Sequence, residues 1–293
     1  MEKKPTILVT GSNGQLGSEL RELAPFHPAY EFLFLTRNEL PLNDSDKVKA
    51  VITDYRPDFV VNCAAYTAVD KAETEKEEAF QINAAAVGAM SEACNAAGAK
   101  FIHISTDYVF DGSSREAIKE DSKVNPINMY GQTKLDGEVL AQEKNPDVVI
   151  IRTSWVYSYH GKNFVKTMIR LMAEKESINV VEDQIGSPTY AADLAAAILH
   201  IIETKKWQPG IYHFSNEGTI SWFEFAREIG IQIQTGCQIY PITTANFPTP
   251  AKRPLFSVMD KTKISQTFGI IIRDWKQSLS DCLQKFKENQ SFH

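Results

Sequence analysis

The stretch ILVTGSNGQLGSEL, residues 7–20, begins with β-branched and apolar residues and continues through three glycines into a helical pattern. Gly11, Gly14 and Gly17 follow a GxxGxxG spacing, which differs from the GxGxxG of the common dinucleotide fingerprint. A strand that turns through glycines into a helix lets backbone N–H groups approach a phosphate, and the helix dipole adds positive charge there. The glycines could also serve the turn alone. The strand-turn-helix order favours nucleotide binding and predicts the first unit of an α/β fold.

Four more runs rich in β-branched and apolar residues follow the first one, with helical patterns between them. The runs span 32–35, 59–65, 101–106 and 148–156, and the helical patterns span 15–24, 46–55, 75–97 and 127–143. Alternation of short strands with helices is typical of βαβ units around a parallel sheet. We therefore predict an α/β fold with a doubly wound, Rossmann-like parallel sheet.

The pattern loosens after residue 155, and a proline-rich loop spans 247–254. We predict a dinucleotide-binding domain at 1–155 and a smaller C-terminal α+β substrate-binding domain at 156–293. The helical segment near 190–205 could return to pack on the first domain.

Composition and charge exclude several classes of protein. The chain has 293 residues, 43% of them hydrophobic, and a formal net charge of −6. An acidic protein offers no basic surface to attract nucleic acid or an anionic membrane, and no apolar run approaches the ~18 residues of a membrane span. The four cysteines and six histidines show no metal-ligand spacing. We expect a cytoplasmic protein with no metal site, no nucleic-acid partner and no membrane contact.

The ends of the second and third strands bear on the choice of cofactor. NAD-binding proteins usually carry an acidic residue after the second strand, but the chain reads Leu-Thr-Arg-Asn at 35–38, and the first acid is Glu39. Arg37 could pair with the 2′-phosphate of NADPH, or it could be a solvated loop residue, so NADH stays open. Ala64 and Ala65 end the third strand with small side chains, which suit either a flat ligand or tight packing.

Tyr130 and Lys134 lie four residues apart in a helical pattern, so their side chains share one face. A cation about 4 Å from the phenol would interact by roughly 4 kcal/mol at an effective dielectric of about 20, which would lower the phenol pKa by up to about three units before the cost of desolvation. Lys134 could therefore bring Tyr130 near working pH for proton transfer. Alone the pair could be a chance surface contact. Thr106, at the end of the fourth strand, would reach the same edge of the sheet and hydrogen-bond the same substrate oxygen.

Seven stretches of the chain resemble the extended short-chain dehydrogenase/reductase family, and more narrowly its reductases of dTDP-linked 4-keto sugars. They are NCAAYTAVDKAE (62–73), STDYVFDG (105–112), YGQTK (130–134), RTSWVY (152–157), NFVKTM (163–168), DQIGSPT (183–189) and FPTPAKRPLFSVMD (247–260). The stretches span nearly the whole chain in the family's order.

The resemblance implies an NADPH-dependent oxidoreductase that reduces the 4-keto group of a dTDP-linked 6-deoxy-L-mannose, for cell-surface polysaccharide biosynthesis. Tyr130 would donate the proton, Lys134 would assist it and bind the nicotinamide ribose, and Thr106 would tune the site. The cofactor residues would be Gly11, Asn13, Gly14, Gln15, Leu16, Gly17, Arg37, Leu42, Asn43, Ala64, Ala65, Tyr66, Thr67, Tyr130 and Lys134. The substrate residues would be Thr106, Asp107, Tyr108, Tyr130, Trp155 and Arg253, the last as a partner of the diphosphate.

Some features of the chain depart from the family pattern. Tyr66 stands where several relatives have His, and Thr36 stands where an Asp is frequent, so NADH remains possible. The resemblance allows Mg2+, but no residues can be assigned to it, and it allows a monomer or a homodimer.

Two other functions stay open. A related dehydratase or epimerase would use the same scaffold, although dehydratases carry Thr-Asp-Glu where this chain has Thr106-Asp107-Tyr108. A non-catalytic NADP-binding subunit, similar to the beta subunit of methionine adenosyltransferase, would also share the fold.

Overall fold

The computed structural model describes residues 3–204 and 206–290. The strands are β1 (Thr6–Thr10), β2 (Glu31–Leu35), β3 (Phe59–Asn62), β4 (Lys100–Thr106), β5 (Val149–Thr153), β6 (Val156–Tyr157), β7 (Ser177–Val181), β8 (Ile185–Gly186), β9 (Thr189–Tyr190), β10 (Gly210–Phe214), β11 (Ile220–Ser221) and β12 (Gln238–Ile242). The helices are α1 (Gln15–Leu23), α2 (Ser45–Tyr55), α3 (Val69–Ala72), α4 (Lys76–Phe80), α5 (Ala86–Ala97), α6 (Met129–Lys144), α7 (Phe164–Glu174), α8 (Ala191–Glu203), α9 (Trp222–Ile233), α10 (Thr262–Phe268) and α11 (Trp275–Gln290).

The central sheet has six parallel strands in the order β10-β5-β4-β3-β1-β2. Every residue of β1 and of β5 is buried, as expected for strands covered by helices on both faces. The chain steps outward from β1 to β2 and then crosses back to β3 on the other side of β1, so the direction of winding reverses between β1 and β3. This arrangement confirms the predicted doubly wound parallel sheet. Ligands bind such sheets at the carboxyl ends of the strands beside the reversal.

Two apolar cores cover the two faces of the sheet. On one face α1 and α8 contribute buried side chains such as Leu20 and Ile198, and on the other face α2 and α5 contribute Ile52 and Met90. A third core, which includes Tyr157 and Phe225, lies in the C-terminal half. Within the described residues, none of the helices is both long and apolar enough to cross a membrane.

The chain passes more than once between the sheet and the C-terminal half. The helix α8 packs beside α1 in the apolar core on one face of the sheet. The strand β10 pairs with β5 at the edge of the central sheet. The segment near 190–205 thus lies against the sheet over its described part. The division into 1–155 and 156–293 stays a prediction.

The helical pattern at 75–97 is interrupted in the structure. The helices α4 and α5 are separated by a π-helical turn at Gln81–Ala85, a feature often found at functional sites. Gly137 of α6 faces this turn, and a Cβ on Gly137 would lie 2.0 Å from the backbone oxygen of Asn83. The close approach of the two backbones therefore requires glycine at 137.

A buried ion pair ties β5 to α6. The Arg152 guanidinium donates to both carboxylate oxygens of Glu138, with Nε–Oε1 at 2.9 Å and Nη2–Oε2 at 2.7 Å. The two side chains are 3% and 1% exposed. The Ser105 hydroxyl of β4 also donates to Glu138, at 2.5 Å. The carboxylate thus joins β4, β5 and α6 beneath the carboxyl edge of the sheet.

Replacing Arg152 by Met should destabilise the protein by about 3–5 kcal/mol, because it leaves the Glu138 charge buried without its cation. Chemical denaturation would measure this loss, and the double variant Arg152→Met/Glu138→Leu should recover part of it. Lys49→Met is the control, because the Lys49–Glu92 pair is nearly half exposed and should contribute at most about 1 kcal/mol. Equal losses in the two single variants would contradict the prediction.

Candidate active site

A cleft of about 830 Å³ opens at the carboxyl edge of the central sheet, beside the reversal between β1 and β3. Most of the residues predicted to bind cofactor or substrate line it. They are Gly11, Asn13, Gly14, Gln15, Leu16, Arg37, Leu42, Ala64, Ala65, Tyr66, Thr67, Thr106, Asp107, Tyr108, Tyr130, Lys134 and Trp155. Three predicted residues, Gly17, Asn43 and Arg253, are not part of this lining.

The glycine turn is shaped for the close approach of a ligand. Gly11 has φ +61°, and a Cβ on it would lie 2.7 Å from the backbone N and Cα of Ala64. A Cβ on Gly17 would lie 2.5 Å from the carbonyl oxygen of Gly11, so Gly17 lets α1 pack on the turn. Gly14 is the N-cap of α1 and has no side chain to cover the helix end. These features fit a dinucleotide whose pyrophosphate lies at the N-terminus of α1.

The turn after β2 places a cation at the mouth of the cleft. Thr36 donates its backbone N–H and its hydroxyl to the Glu39 carboxylate, both at 2.8 Å. The backbone hydrogen bond from Thr36 is the main cause that lowers the pKa of Glu39. Arg37 is 80% exposed, and its Nη2 lies 3.1 Å from Glu78 Oε1. Glu39 is thus engaged in its own turn, and Arg37 is the charged side chain of this turn that lines the cleft.

Tyr130 and Thr106 meet at the floor of the cleft. Burial raises the pKa of Tyr130 to about 12, while a hydrogen bond with the Thr106 side chain acts in the opposite direction. Burial also raises the pKa of Asp107 to about 6. The ring of Tyr108 stands edge-on to that of Tyr130, with ring centroids 5.5 Å apart. The predicted site residues at the end of β4 and on α6 therefore line the same cleft.

In this structure burial, and not Lys134, is the largest cause of the shift in the pKa of Tyr130. Lys134 Nζ donates to the carbonyl oxygen of Ile104 at 2.6 Å and lies 3.3 Å from His103 Nε2. Burial lowers the pKa of Lys134 to about 8, and the pKa of Tyr130 is raised rather than lowered. Helical spacing places the two residues on one face, but the Lys134 ammonium is directed at β4.

The π-helical turn supplies a residue that the sequence reasoning missed. Asn83 accepts the backbone N–H of Tyr66 at 2.8 Å and donates to the Tyr66 carbonyl at 3.1 Å, so it holds the loop after β3. Its amide also donates to Thr133 on α6. Other missed lining residues, including Gly161, Lys162 and Leu194, come from the C-terminal half and from α8. No spacing in the sequence connects them with the glycine turn.

Two predicted substrate residues, Trp155 and Arg253, have distinctive surroundings. Trp155 follows β5 in a left-handed conformation with φ +49°, unusual for a non-glycine residue. It stacks on Trp222 with ring centroids 3.6 Å apart. Arg253 forms a two-pronged ion pair with Asp70, at 3.1 and 2.9 Å. It lines a neighbouring cavity of about 550 Å³ rather than the main cleft.

An acidic cluster lies apart from the residues discussed above. Glu19, Glu22 and His160 bring ligand atoms within 4.8 Å of one another. Lys285 Nζ lies 3.3 Å from Glu19 Oε2 and 2.7 Å from Glu22 Oε2, so an ammonium already compensates both carboxylates. These residues therefore do not call for the Mg2+ that the family resemblance allowed.

Gly17→Ala should weaken NADPH binding by at least about tenfold, because the new Cβ would meet the Gly11 carbonyl and push α1 away from the turn. Calorimetric titration with NADPH would measure the dissociation constant. Gly236→Ala is the matched control, because nothing lies within 4 Å of the added Cβ. Unchanged affinity in Gly17→Ala would show that the turn tolerates the displacement.

Comparison with known proteins gives a consistent result. The model of the RmlD substrate binding domain family matches residues 5–288. A dTDP-4-dehydrorhamnose reductase of Aggregatibacter actinomycetemcomitans is 40% identical, over 94% of this chain and 97% of the relative.

Solved structures agree with the sequence matches. The crystal structure of a dTDP-4-dehydrorhamnose reductase from Clostridium acetobutylicum superposes with a TM-score of 0.92 at 40% identity, covering 96% of this chain and 99% of that one. The enzyme of that name from Bacillus anthracis, solved in complex with NADP, has a TM-score of 0.92 at 39% identity and covers 97% and 100%. The chain therefore belongs to the dTDP-4-dehydrorhamnose reductase family of extended short-chain dehydrogenases/reductases.

Proposed function

We propose that this protein reduces the 4-keto group of dTDP-4-dehydro-6-deoxy-L-mannose (dTDP-4-dehydrorhamnose) with NADPH and releases dTDP-L-rhamnose. The observation that carries the proposal is the meeting of Tyr130 with Thr106 in the same cleft as the glycine turn. A proton donor and a dinucleotide site in one crevice are what the reduction of a ketone requires.

When bound, NADPH supplies the hydride that adds to the carbonyl carbon of the sugar. The chain's contribution to its binding is the glycine turn at the N-terminus of α1, the small residues after β3 and the Arg37 cation at the mouth. Arg37 favours the 2′-phosphate of NADPH, because the carboxylate of Glu39 is engaged by Thr36.

Tyr130 is the proton donor to the ketone oxygen. Since burial raises its pKa to about 12, the phenol keeps its proton throughout the neutral range. The proton leaves Tyr130 Oη as negative charge develops on the substrate oxygen. The Thr106 hydroxyl, which lines the same cleft as Tyr130, can align the same oxygen and stabilise that charge.

Tyr108 distinguishes this site from the active site of a sugar-nucleotide dehydratase. Elimination needs a carboxylate beside the substrate as a proton carrier, and Tyr108 occupies that place in the sequence pattern. Burial raises the pKa of Tyr108 above the ordinary value, so the side chain stays a neutral phenol. The site can therefore add hydrogen to a ketone but lacks the base for elimination at this position.

We also propose that the enzyme acts in the cytoplasm, as a monomer or homodimer, in making rhamnose for cell-surface polysaccharide. All four cysteines lie in the described part of the chain and are free thiols. Free thiols fit a reducing compartment.

Tyr130→Phe should lower kcat by about 100-fold or more, the usual contribution of a general acid. The measurement is NADPH oxidation with dTDP-4-dehydrorhamnose, with the product identified as dTDP-rhamnose by mass spectrometry. Tyr240→Phe, at a 52% exposed tyrosine, is the control and should keep full activity. Full turnover in Tyr130→Phe would remove Tyr130 from the mechanism, and absence of reduction by the unmodified protein would refute the function.

Arg37→Ala should raise the KM for NADPH about fivefold and leave the KM for NADH nearly unchanged. The loss is modest because the side chain is 80% exposed, so solvent and salt weaken its contact with a phosphate. Parallel kinetics with the two cofactors would measure it, with the exposed Lys47→Ala as control. An equal change for both cofactors would exclude a role in recognising the 2′-phosphate.

A further inference from the structure

The segment 158–163, between β6 and α7, brings a cation to the wall of the cleft, and we refer to it as the cleft loop. Gly161 and Lys162 of the cleft loop line the cleft together with the glycine turn. Lys162 is exposed, and within the part of the chain that the structure describes it forms no ion pair. The reduction proposed above gives neither residue a role.

The other charged side chains that line the cleft are engaged elsewhere. Arg37 is paired with Glu78, and Lys134 is buried and hydrogen-bonded to a carbonyl of β4. Asp107, the acidic side chain among the described lining residues, lies at the end of β4. Lys162 is therefore the lining cation whose charge the protein itself leaves uncompensated.

One face of α1 holds the cleft loop in place. Gln15, Glu19 and Glu22 stand at positions i, i+4 and i+7 of this helix, so their side chains lie one above the other. The Ser158 hydroxyl donates to Glu19 Oε1 at 2.6 Å, and the Tyr159 hydroxyl donates to Glu22. The helix that begins at the glycine turn thus binds the cleft loop along about two turns.

Two further cations beside the cleft loop are already bound by the protein. Lys166 Nζ donates to the Tyr159 carbonyl at 2.9 Å. Lys285 Nζ lies 2.7 Å from Glu22 Oε2. Both ammonium groups serve to fix the loop and its carboxylate partners, whereas that of Lys162 is open to a ligand.

Asn163 joins the cleft loop to the first residue of α1. Its Nδ2 donates to Gln15 Oε1 at 2.9 Å and to the Ser158 carbonyl at 2.6 Å. Its Oδ1 accepts the backbone N–H of Lys166 at 3.1 Å and caps α7. Gln15 directly follows Gly14, the N-cap of α1. The cleft loop is therefore fixed at the helix end where the pyrophosphate of a dinucleotide is expected.

Gly161 brings the backbone of the cleft loop close to this helix end. A Cβ on Gly161 would lie 3.2 Å from Gln15 Cγ. Lys162 is the next residue, so its ammonium group can reach an anion at the N-terminus of α1. A flexible ammonium suits phosphate recognition, because it acts as a point charge that does not demand one planar geometry.

We propose that Lys162 binds the pyrophosphate of the dinucleotide, from a cleft loop that α1 holds beside its own N-terminus. This role rests on the proposed function, which brings a nicotinamide dinucleotide into the cleft. The diphosphate of a dTDP-sugar has the same chemistry, but the contacts of Gly161 and Asn163 with Gln15 favour the diphosphate of the cofactor. Because NADPH and NADH share their pyrophosphate, Lys162 acts on both, whereas Arg37 acts on the 2′-phosphate of NADPH alone.

Lys162→Met removes the charge and keeps most of the apolar stem. We expect the dissociation constants of NADPH and NADH to rise by the same factor of about five, a modest loss because the side chain is exposed and solvent weakens its contact. Calorimetric titration with each cofactor, and with dTDP, would measure the three affinities, and that for dTDP should stay unchanged. Lys175→Met is the matched control, since this exposed lysine lies at the opposite end of α7.

The salt dependence of binding separates a charge contact from a change of shape. The difference between Lys162→Met and the unmodified protein should be largest at low salt. It should nearly vanish at about 1 M salt, where the screening length falls to about 3 Å. A loss of packing in the cleft loop would instead persist at high salt.

Asn163→Ser tests whether the anchoring of the cleft loop acts through Lys162. Serine can still cap α7, but it lacks the amide that donates to Gln15 and Ser158. This variant should raise the dissociation constant of NADPH about threefold, the usual effect of one lost hydrogen bond. In the double variant Lys162→Met/Asn163→Ser the affinity should equal that of Lys162→Met, because a displaced loop then has no charge to misplace.

Four results would overturn the inference: unchanged affinity for both cofactors in Lys162→Met, a loss confined to NADPH, a loss confined to dTDP, or a loss that persists at high salt. The second would assign Lys162 to the 2′-phosphate and the third to the diphosphate of the sugar nucleotide. The titrations need no keto sugar. Cofactor binding that behaves as expected in a protein that fails to reduce dTDP-4-dehydrorhamnose would therefore refute the proposed function and leave the role of Lys162 standing.

Discussion

The backbone N–H of Ala64, held by the Asn62 side chain, joins β3 to β1 at the point where the sheet reverses its winding. The carbonyl end of the Asn62 amide accepts from Ala64 and from Thr10, so it fixes the first turn after β3 against the end of β1. Gly11 lies against this turn so closely that a Cβ would be 2.7 Å from Ala64. The floor of the crevice is therefore set by backbone and amide groups with little freedom to move. The glycine turn and the loop after β3 are thereby held together at the carboxyl edge of the sheet.

The fold could be predicted from the sequence because the signals for strands, turns and helices are local. Glycine spacing, β-branched runs and helical periodicity predict which segments are strands and helices, and right-handed parallel connections leave few ways to assemble them. The same rules bring the ends of β1, β3 and β4 to one edge, where Thr106 and Tyr130 both line the cleft. The π-helical turn at 81–85 was missed, because it packs against Gly137, which lies on a helix far along the sequence.

Side-chain direction could not be predicted in the same way. The helical spacing of Tyr130 and Lys134 suggested an ion–phenol contact worth roughly 4 kcal/mol at an effective dielectric of about 20. In the fold Nζ finds the Ile104 carbonyl and the His103 ring instead, and burial dominates the pKa of both residues. Arg253, expected at a diphosphate, is paired with Asp70. Each outcome depends on a partner from another element, which periodicity within one element does not reveal.

The aromatic pair on the cleft floor explains why a reductase and a dehydratase can share one scaffold. Both reactions transfer a proton at the oxygen of ring position four, and the proposed roles of Tyr130 and Thr106 are compatible with either. Elimination also needs a base, which an acid at 108 would supply. The Tyr108 ring instead stands edge-on to that of Tyr130, the proposed proton donor, and stays a neutral phenol. Burial raises the pKa of Tyr130, so in the proposed mechanism the proton stays in place for a developing alkoxide. In the proposed mechanism, Tyr108 at this position therefore favours reduction over elimination.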